Sequence, residues 1–175
     1  MIEKILKKFI KNKLIVDILD ILISTFIIIV IFINLVAIPV KVSGNSMYST
    51  LKNNSYGFSG IFTKFFGYNH FDIVTAYSDK LNEIVVKRII GLPNDEIEYK
   101  DNKLYINGKY YEESFLDKNQ YTQDLKIKLK NDEYFLLGDN RLNSSDSRVL
   151  GPFHAKEIKT KGIFILFPLN EMGIK

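Results

Sequence analysis

The sequence predicts a mainly-β protein that begins with one membrane-spanning helix. Three observations support this fold class: an apolar run covers positions 18–38, several short segments are rich in β-branched residues, and Asn107-Gly108 separates two of those segments. Asn-Gly between short strands is the strongest local signal for a β-hairpin. We therefore expect an N-terminal helix followed by a single strand-rich domain, with no second large domain.

The apolar run is the first predicted element. Its 21 positions would span roughly 31 Å as a helix at about 1.5 Å per residue, which is enough for the hydrocarbon core of a bilayer. Five lysines and a single acid, Glu3, precede it, and this excess of lysine predicts a cytoplasmic N-terminus: the lysines are Lys4, Lys7, Lys8, Lys11 and Lys13. We expect a basic cytoplasmic tail over 1–13, a transmembrane anchor over 14–38 and an extracytoplasmic domain over 39–175.

Two alternatives remain open for this run. A cleaved signal peptide has an apolar core of about 7 to 15 residues followed by small residues; the densest part, 21–33, is of that length, but no Ala-x-Ala pattern follows it. A buried core helix is the second alternative, because polar residues such as Asp20 and Asn34 do not exclude it. In each case Pro39 ends the helix, since proline disfavours helical geometry in the residue before it.

The domain that follows is expected to be built from short strands. Segments 72–77 and 83–90 are β-branched and apolar, which is typical of strands in a sheet core. Further strands are expected at 134–137 and 162–167, and hairpin turns at 101–103 and 107–108, whereas the polar stretch 112–132 predicts a loop.

The Phe-rich stretch 56–71 has two interpretations: a strand in the core, or a surface that inserts into membrane lipid. The apolar residues that would form such a surface are Phe58, Ile61, Phe62, Phe65 and Phe66.

Composition excludes several classes of function. The net charge is +4, but the basic residues are interspersed with 20 acidic ones and form no stripe, so we expect no nucleic-acid partner. The absence of cysteine excludes disulfides, thiolate zinc sites and a thiol nucleophile. The two histidines, His70 and His154, are isolated in the sequence, and we expect them at the surface. No metal or cofactor is expected.

Ser46 and Lys87 are the residues that point to catalysis. Ser46 lies in the small turning segment 42–51 beside Gly44, which would let the backbone pass close to a ligand and direct the Ser46 N–H toward a developing oxyanion. A serine needs a base to remove its proton, and Lys87 is flanked by Val85, Val86 and Ile89. Burial there would lower the lysine pKa toward the value of about 7 to 8 that suits a general base. The alternative to a catalytic role is that Ser46 lies in an ordinary turn and that Lys87 is an ordinary lysine at the end of a strand.

A third segment, 138–148, completes a pattern. The three segments, in this order, resemble the type I signal peptidases, which are membrane-bound serine proteases that use lysine as general base. The resemblance extends from the apolar run to about Pro168. It implies an antiparallel-β-rich catalytic domain with a small β cap, because only about 50 residues separate Lys87 from Gly138; this is the compact, Gram-positive-like branch of the family.

The resemblance also implies roles for individual residues. Ser46 and Lys87 would form the catalytic dyad, and Ser144 would hydrogen-bond the Lys87 amine and orient it. Asp146, Arg148 and Arg88 would form one ion-pair cluster that holds the 138–148 segment in place. Two positions depart from the pattern: Gly44 replaces a serine that helps to bind the oxyanion in one branch, and Ser49 replaces the usual proline.

The expected substrate is an extended peptide bound beside the Lys87 strand and the strand that enters Ser46. Val42, Met47, Leu51 and Val85 would line pockets that admit small side chains such as Ala at positions −1 and −3. We therefore expect a monomeric, membrane-anchored serine endopeptidase that removes signal peptides from secreted preproteins. An inactive homologue that binds signal peptides and a self-cleaving regulator are the alternatives.

Overall fold

One long helix opens the chain. The structure, a computed structural model, describes residues 2–61 and 66–175, with side chains for 13–31, 37–61 and 66–175; Phe62 and Phe65 of the Phe-rich stretch lie outside the described residues. Helix α1 runs from Ile2 to Val36. Its segment Lys13–Ile31 is 19 residues long and apolar, so its length and composition are sufficient for a membrane span. The side chains of this segment are exposed. The helix ends three residues before Pro39, as the effect of proline on the preceding backbone predicts.

The described residues after the helix form twelve short strands and one short helix, α2 (Ser147–Leu150). The strands are β1 (Ala37–Lys41), β2 (Tyr56–Gly60), β3 (Ile73–Ser78), β4 (Glu83–Gly91), β5 (Glu96–Lys100), β6 (Lys103–Ile106), β7 (Lys109–Tyr111), β8 (Leu125–Lys128), β9 (Glu133–Leu137), β10 (Phe153–His154), β11 (Ile158–Phe167) and β12 (Gly173–Ile174). They build two sheets. The mainly-β prediction is therefore confirmed.

The larger sheet has the strand order β1-β2-β11-β3-β4-β9-β10, with β12 added beside β11. Its pairings from β2 to β10 are antiparallel. The smaller sheet, β7-β6-β5-β8, is also antiparallel and is inserted between β4 and β9. This sheet is the small β cap that the spacing of Lys87 and Gly138 predicted.

Two strands of the larger sheet leave a backbone edge open. Strand β3 pairs with β4 from Glu83 to Arg88 on one edge. On the other edge of β4, strand β9 pairs with β4 only from Arg88 onward. The described residues therefore supply no partner strand for positions 83–87 on that edge. Strand β1 lies at the end of the sheet, where β2 is its one neighbour among the described strands. Open edges of this kind accept an added extended chain.

Alternation along β4 distributes its side chains between two hydrophobic cores. Val85 and Ile89 pack in a cluster with Val74 and Leu136, whereas Val86 packs against a separate cluster of six buried residues. That second cluster consists of Val42, Met47, Leu51, Ile73, Ile163 and Ile165. A third cluster joins Ile90 and Leu137 to the buried face of the small sheet. The cap is therefore fixed by apolar contacts to the ends of β4 and β9.

Several elements differ from the sequence prediction. The stretch 112–132, expected to be a loop, contains β8, and β11 begins at Ile158 instead of position 162. Both hairpin predictions are confirmed: Asp101 and Asn102 have φ values of 51° and 58°, and Asn107 and Gly108 of 52° and 79°. The short β8 alternates charged and apolar residues, a pattern too brief to identify a strand without its partner β5.

Candidate active site

Ser46 lies in a compact turn that follows β1. Gly44 has a φ of 87°, a left-handed conformation that favours glycine, and its N–H donates to Asn53 Oδ1 at 3.0 Å. A five-residue turn follows, in which the Leu51 N–H donates to the Met47 carbonyl at 2.8 Å. No described residue accepts a hydrogen bond from the Ser46 N–H. That N–H is therefore available to an anionic ligand atom, whereas the Gly44 N–H is already used.

Lys87 reaches Ser46 from the open-edged part of β4. Its Nζ lies 2.9 Å from Ser46 Oγ, although 41 residues separate the two positions. The Lys87 side chain is buried, with 3% of the residue exposed. Burial lowers the pKa of Lys87 from its ordinary value of 10.5; Asp146, Glu83 and Asp139 oppose this shift, and Arg148 adds to it. Burial therefore favours the neutral amine, the form that can accept a proton.

The segment 138–148 packs directly against the turn 42–51 that carries Ser46, which we call the nucleophile turn after its predicted role. The Asn140 N–H donates to the Ser46 carbonyl at 2.9 Å. A side chain at Gly138 would overlap both Ser144 Oγ and the Ser46 carbonyl oxygen, so the close approach of these two segments requires glycine here. Ser144 Oγ is buried and has no hydrogen-bond partner among the described residues. The predicted hydrogen bond from Ser144 to Lys87 is therefore not seen.

The predicted single ion-pair cluster is wrong in its grouping, because the arginines form two separate pairs. Asp139 takes two hydrogen bonds from Arg88, at 2.8 Å from Nε and 2.6 Å from Nη2. Asp146 takes two from the Arg148 guanidinium, both at 2.8 Å, one from the Arg148 N–H at 3.3 Å and one from the Gly138 N–H at 3.0 Å. Each arginine presents a planar fork to one carboxylate, and such bidentate pairing fixes geometry. Asp139 therefore fixes the start of the segment and Asp146 its end.

A buried network around Arg141 was missed by sequence reasoning. Arg141 Nε donates to the Gly138 carbonyl at 3.0 Å, and its guanidinium also reaches Glu113, Tyr99 and Thr122. Those three partners belong to the small sheet and the loop that follows β7. Arg141 thus connects the 138–148 segment to the cap. The arginine was visible in the sequence, but nothing local identifies partners 19 to 42 residues away.

An open cleft of about 370 Å³ adjoins Ser46 and Lys87. Val42, Met47 and Val85 line it, as predicted, and so do Glu83, Asn143 and Ser145, which sequence reasoning did not select. Leu51 is not among the residues that line the cleft; it packs beside Met47 in the same buried cluster, with 1% of each residue exposed. Its predicted pocket role stays a prediction.

Neither histidine reaches the cleft. His70 Nε2 lies 2.7 Å from Asp95 Oδ2, and His154 Nδ1 lies 2.8 Å from Asp132 Oδ2. Both imidazoles are thus partnered by carboxylates away from Ser46. The base within reach of the Ser46 hydroxyl, among the residues described, is the Lys87 amine. A hydroxyl beside a buried amine is the arrangement of an activated nucleophile.

The comparisons with known proteins identify the family. The family model described as "Signal peptidase, peptidase S26" matches residues 15–167. Signal peptidase I S of Bacillus subtilis (strain 168) is 40% identical over 152 residues, covering 79% of this chain and 82% of that protein. Signal peptidase I of Bacillus amyloliquefaciens is 36% identical over 174 residues and 93% of each chain. The crystal structure of a signal peptidase I from Enterococcus faecalis V583 matches with a TM-score of 0.50 and 33% identity, covering 54% of this chain and 95% of that one.

Proposed function

The chain belongs to the S26 family of signal peptidases, and on that basis we propose that it is a membrane-anchored serine endopeptidase that cleaves signal peptides from secreted preproteins. We assign Ser46 as the nucleophile and Lys87 as the general base. The observation that carries this assignment is the distance of 2.9 Å between Lys87 Nζ and Ser46 Oγ at a buried amine. A protein that merely bound signal peptides would need neither group.

The first half of the reaction forms an acyl-enzyme. Neutral Lys87 removes the proton from the Ser46 hydroxyl as Oγ attacks the scissile carbonyl carbon, and the carbonyl oxygen becomes an oxyanion. The free Ser46 N–H is the group positioned to stabilise that charge. The tetrahedral intermediate collapses when the C–N bond breaks, and the Lys87 ammonium gives its proton to the leaving amine. The mature protein departs with a free N-terminus.

The second half regenerates the enzyme. Lys87, again neutral, removes a proton from a water molecule that attacks the Ser46 ester. The second tetrahedral intermediate releases the signal peptide as a carboxylic acid, and the proton held by Lys87 returns to Ser46 Oγ. Both halves use the same amine as base and then as acid, so its pKa must lie near the working pH.

The cleft supports recognition of an extended peptide with small side chains. Positions 83–87 of β4 and the residues that follow β1 offer open backbone edges on the walls of the cleft. A peptide added as a strand between them would direct one set of alternate side chains toward Val42 and Met47, on the face of Val86, and the intervening set toward the face of Val85. These apolar walls leave room for Ala at −1 and −3. Replacing either Ala by Leu or Phe is expected to prevent cleavage, because the larger side chain would clash with the packed side chains that form the pocket wall.

The test is cleavage of a preprotein by the purified full-length chain in detergent. We expect Ser46→Ala and Lys87→Ala each to remove nearly all activity, and the double variant to be little worse, because residues acting as one unit are not additive. Lys87→Arg should also fail, since a guanidinium does not release its proton at working pH. The wild-type rate should rise with pH as Lys87 deprotonates. A folded Lys87→Arg protein with near wild-type activity would exclude lysine as the base.

A further inference from the structure

Thr50 lies in the nucleophile turn, four residues after Ser46, and its side chain is half-buried. Its hydroxyl donates to Asp139 Oδ2 at 2.6 Å, and Arg88 Nη2 lies 3.4 Å from the same hydroxyl. Asp139 is buried, with 1% of the residue exposed, and its carboxylate also takes the two hydrogen bonds from Arg88 described above. The Asp139 carboxylate therefore binds β4 and the nucleophile turn together, and Thr50 supplies the bond to the turn.

The Asp139 carboxylate connects the turn to the strand that carries the proposed base. Arg88 follows Lys87 directly in β4. Besides Asp139, the Arg88 guanidinium contacts the Phe71 carbonyl, 2.8 Å from Nη1, and the ring of Phe115, whose centroid lies 4.0 Å from the guanidinium carbon. Bidentate pairing of a buried arginine with a carboxylate fixes the geometry of both groups. A chain of fixed side chains therefore leads from the turn to the residue beside Lys87.

A second hydrogen bond holds the other end of the turn. The Asn140 N–H donates to the Ser46 carbonyl at 2.9 Å, so two consecutive residues of the 138–148 segment, Asp139 and Asn140, bind the turn at Thr50 and at Ser46. One bond at Ser46 would leave the turn free to rotate about that point. Two bonds, four residues apart in the turn, fix its orientation as well as its position.

The remaining contacts of the turn do not supply this link. Met47 and Leu51 pack in the core, but apolar contacts are not directional. The Ser49 hydroxyl donates to Asp117 Oδ1 at 2.9 Å, but Asp117 is exposed and lies in the loop after β7. Apart from Ser46 itself, Thr50 is therefore the residue of the turn, within the described part of the chain, whose side chain hydrogen-bonds a group shared with β4.

We propose that Thr50 is a positioning residue of the catalytic site, whose hydrogen bond to Asp139 holds Ser46 Oγ within reach of Lys87 Nζ. Proton transfer between the two groups needs a separation of about 2.6 to 3.2 Å, so a small displacement of the turn would impair it. This inference rests on the proposed function, because it takes Ser46 as the nucleophile and Lys87 as the base. Thr50 is not among the residues that line the cleft, so it would act on the chemical step and not on peptide binding.

The test compares Thr50→Val with Thr50→Ser in the full-length enzyme in detergent. Valine keeps the branched shape of threonine and lacks the hydroxyl, whereas serine keeps the hydroxyl. We expect Thr50→Val to lower kcat for preprotein cleavage by about 10- to 100-fold and to change KM by less than about twofold, because displacement of a catalytic group by about 1 Å costs roughly 100-fold in rate. Thr50→Ser should retain most of the wild-type kcat. Single-turnover cleavage with enzyme in excess measures the chemical step separately from product release.

Ser49→Ala is the matched control, because it removes the neighbouring hydroxyl of the same turn, whose partner Asp117 does not bind β4. This variant should lower kcat by less than Thr50→Val does. Thermal unfolding of the same samples shows whether each variant is folded. If Thr50→Val does not fold, Thr50→Ala tests the same hydrogen bond without placing a methyl group against Asp139.

Three results would overturn the inference and leave the proposed function intact. The first is a kcat of folded Thr50→Val within about twofold of the wild type. The second is an equal loss of kcat in Thr50→Val and in either Thr50→Ser or Ser49→Ala, which would exclude a specific role for the Thr50 hydroxyl. The third is a raised KM with unchanged kcat, which would assign Thr50 to peptide binding. Wild-type activity in Ser46→Ala would contradict the proposed function itself.

Discussion

At the scale of single residues, Lys87 is expected to lower the stability of the fold that contains it. The amine is buried, and none of the described acids forms a salt bridge with it. Because burial lowers its pKa, the unfolded chain binds more protons than the folded one between the folded-state pKa and 10.5. The free energy of unfolding therefore rises with pH across that window.

Lys87→Met should raise the melting temperature at neutral pH while abolishing cleavage. Methionine has a similar length and carries no charge to desolvate. The advantage over the wild type should shrink as the pH rises toward 10.5 and level off above it, where the lysine is neutral in both folded and unfolded chains. Thermal unfolding of both proteins across this pH range is the measurement. A Met variant that is less stable than the wild type at neutral pH would show that the contacts of the Lys87 amine stabilise the fold by more than its burial costs.

Gly138→Ala should inactivate the enzyme without unfolding it. The added methyl group would overlap Ser144 Oγ and the Ser46 carbonyl, and the loop would have to withdraw from the nucleophile turn. Displacement of a catalytic group by about 1 Å lowers kcat roughly 100-fold. Preprotein cleavage and circular dichroism, measured on the same sample, separate the two effects. Near wild-type kcat would mean that the segment shifts without moving Ser46.

The candidate residues could be selected from the sequence, and their contacts could not. Ser46 and Lys87 were selected because a serine requires a base and because the three segments resemble those of the signal peptidases in their order; local chemistry alone left an ordinary turn and an ordinary strand-end lysine as alternatives. The pairing of Arg88 with Asp139 was missed, because several acids near position 140 are equivalent in the sequence and only the fold chooses among them. The role of Leu51 could not be decided from the sequence for a similar reason: an apolar side chain suits a pocket and a core equally well.

At the scale of elements, the loop over residues 112–122 connects the cap to the catalytic segments. Glu113 binds the Arg141 guanidinium, Phe115 stacks on Arg88 with its ring centroid 4.0 Å from the guanidinium carbon, and Asp117 accepts from Ser49 Oγ at 2.9 Å. Three separate contacts thus join one loop to β4, the nucleophile turn and the 138–148 segment. This loop is expected to stabilise the relative positions of all three.

Glu113→Gln should destabilise the domain by about 3 kcal/mol, because it leaves the buried Arg141 charge without its carboxylate. Combining it with Arg141→Met should recover part of the loss, since the unpaired charge is then removed. Chemical denaturation of the three variants is the measurement. Glu112→Gln is the neighbouring exposed control and should stay within about 0.5 kcal/mol of the wild type. If Glu113→Gln destabilises the domain as little as Glu112→Gln does, the hydrogen-bond network around Arg141 does not contribute to the stability of the domain.

Elements with strong turn or periodicity signals were predicted well. The hairpins at 101–102 and 107–108 depend on residues that tolerate positive φ, and such residues are recognisable in isolation. Strand β8 and the early start of β11 depend on pairing with distant strands, and Gly162 interrupts the apolar pattern of β11. Sheet order has no local signal in the sequence, so the open edge of positions 83–87 could not be foreseen.

At the scale of the whole molecule, the proposed topology has a direct test. The lysines at positions 4–13, which precede the apolar part of α1, favour a cytoplasmic N-terminus, and the domain from Pro39 onward would then lie outside. Protease added to intact protoplasts should digest the domain and spare an epitope attached to the N-terminus. Disruption of the membrane should expose that epitope, which confirms that the protease can cleave it. Protection of the domain in intact protoplasts would exclude this orientation.

The open edges of β1 and of positions 83–87 of β4 are separated by three strands in the sheet order yet border a single cleft, which means that the larger sheet curves between them. A peptide bound in the cleft would pair with the open part of β4 and cover an edge that the described residues leave unpaired. Binding would then stabilise the sheet, because paired backbone groups on that edge replace exposed ones. An uncleavable peptide should accordingly raise the melting temperature of the entire domain as the peptide concentration increases. During each reaction cycle, the bound substrate would contribute one strand to the sheet of the enzyme that cleaves it.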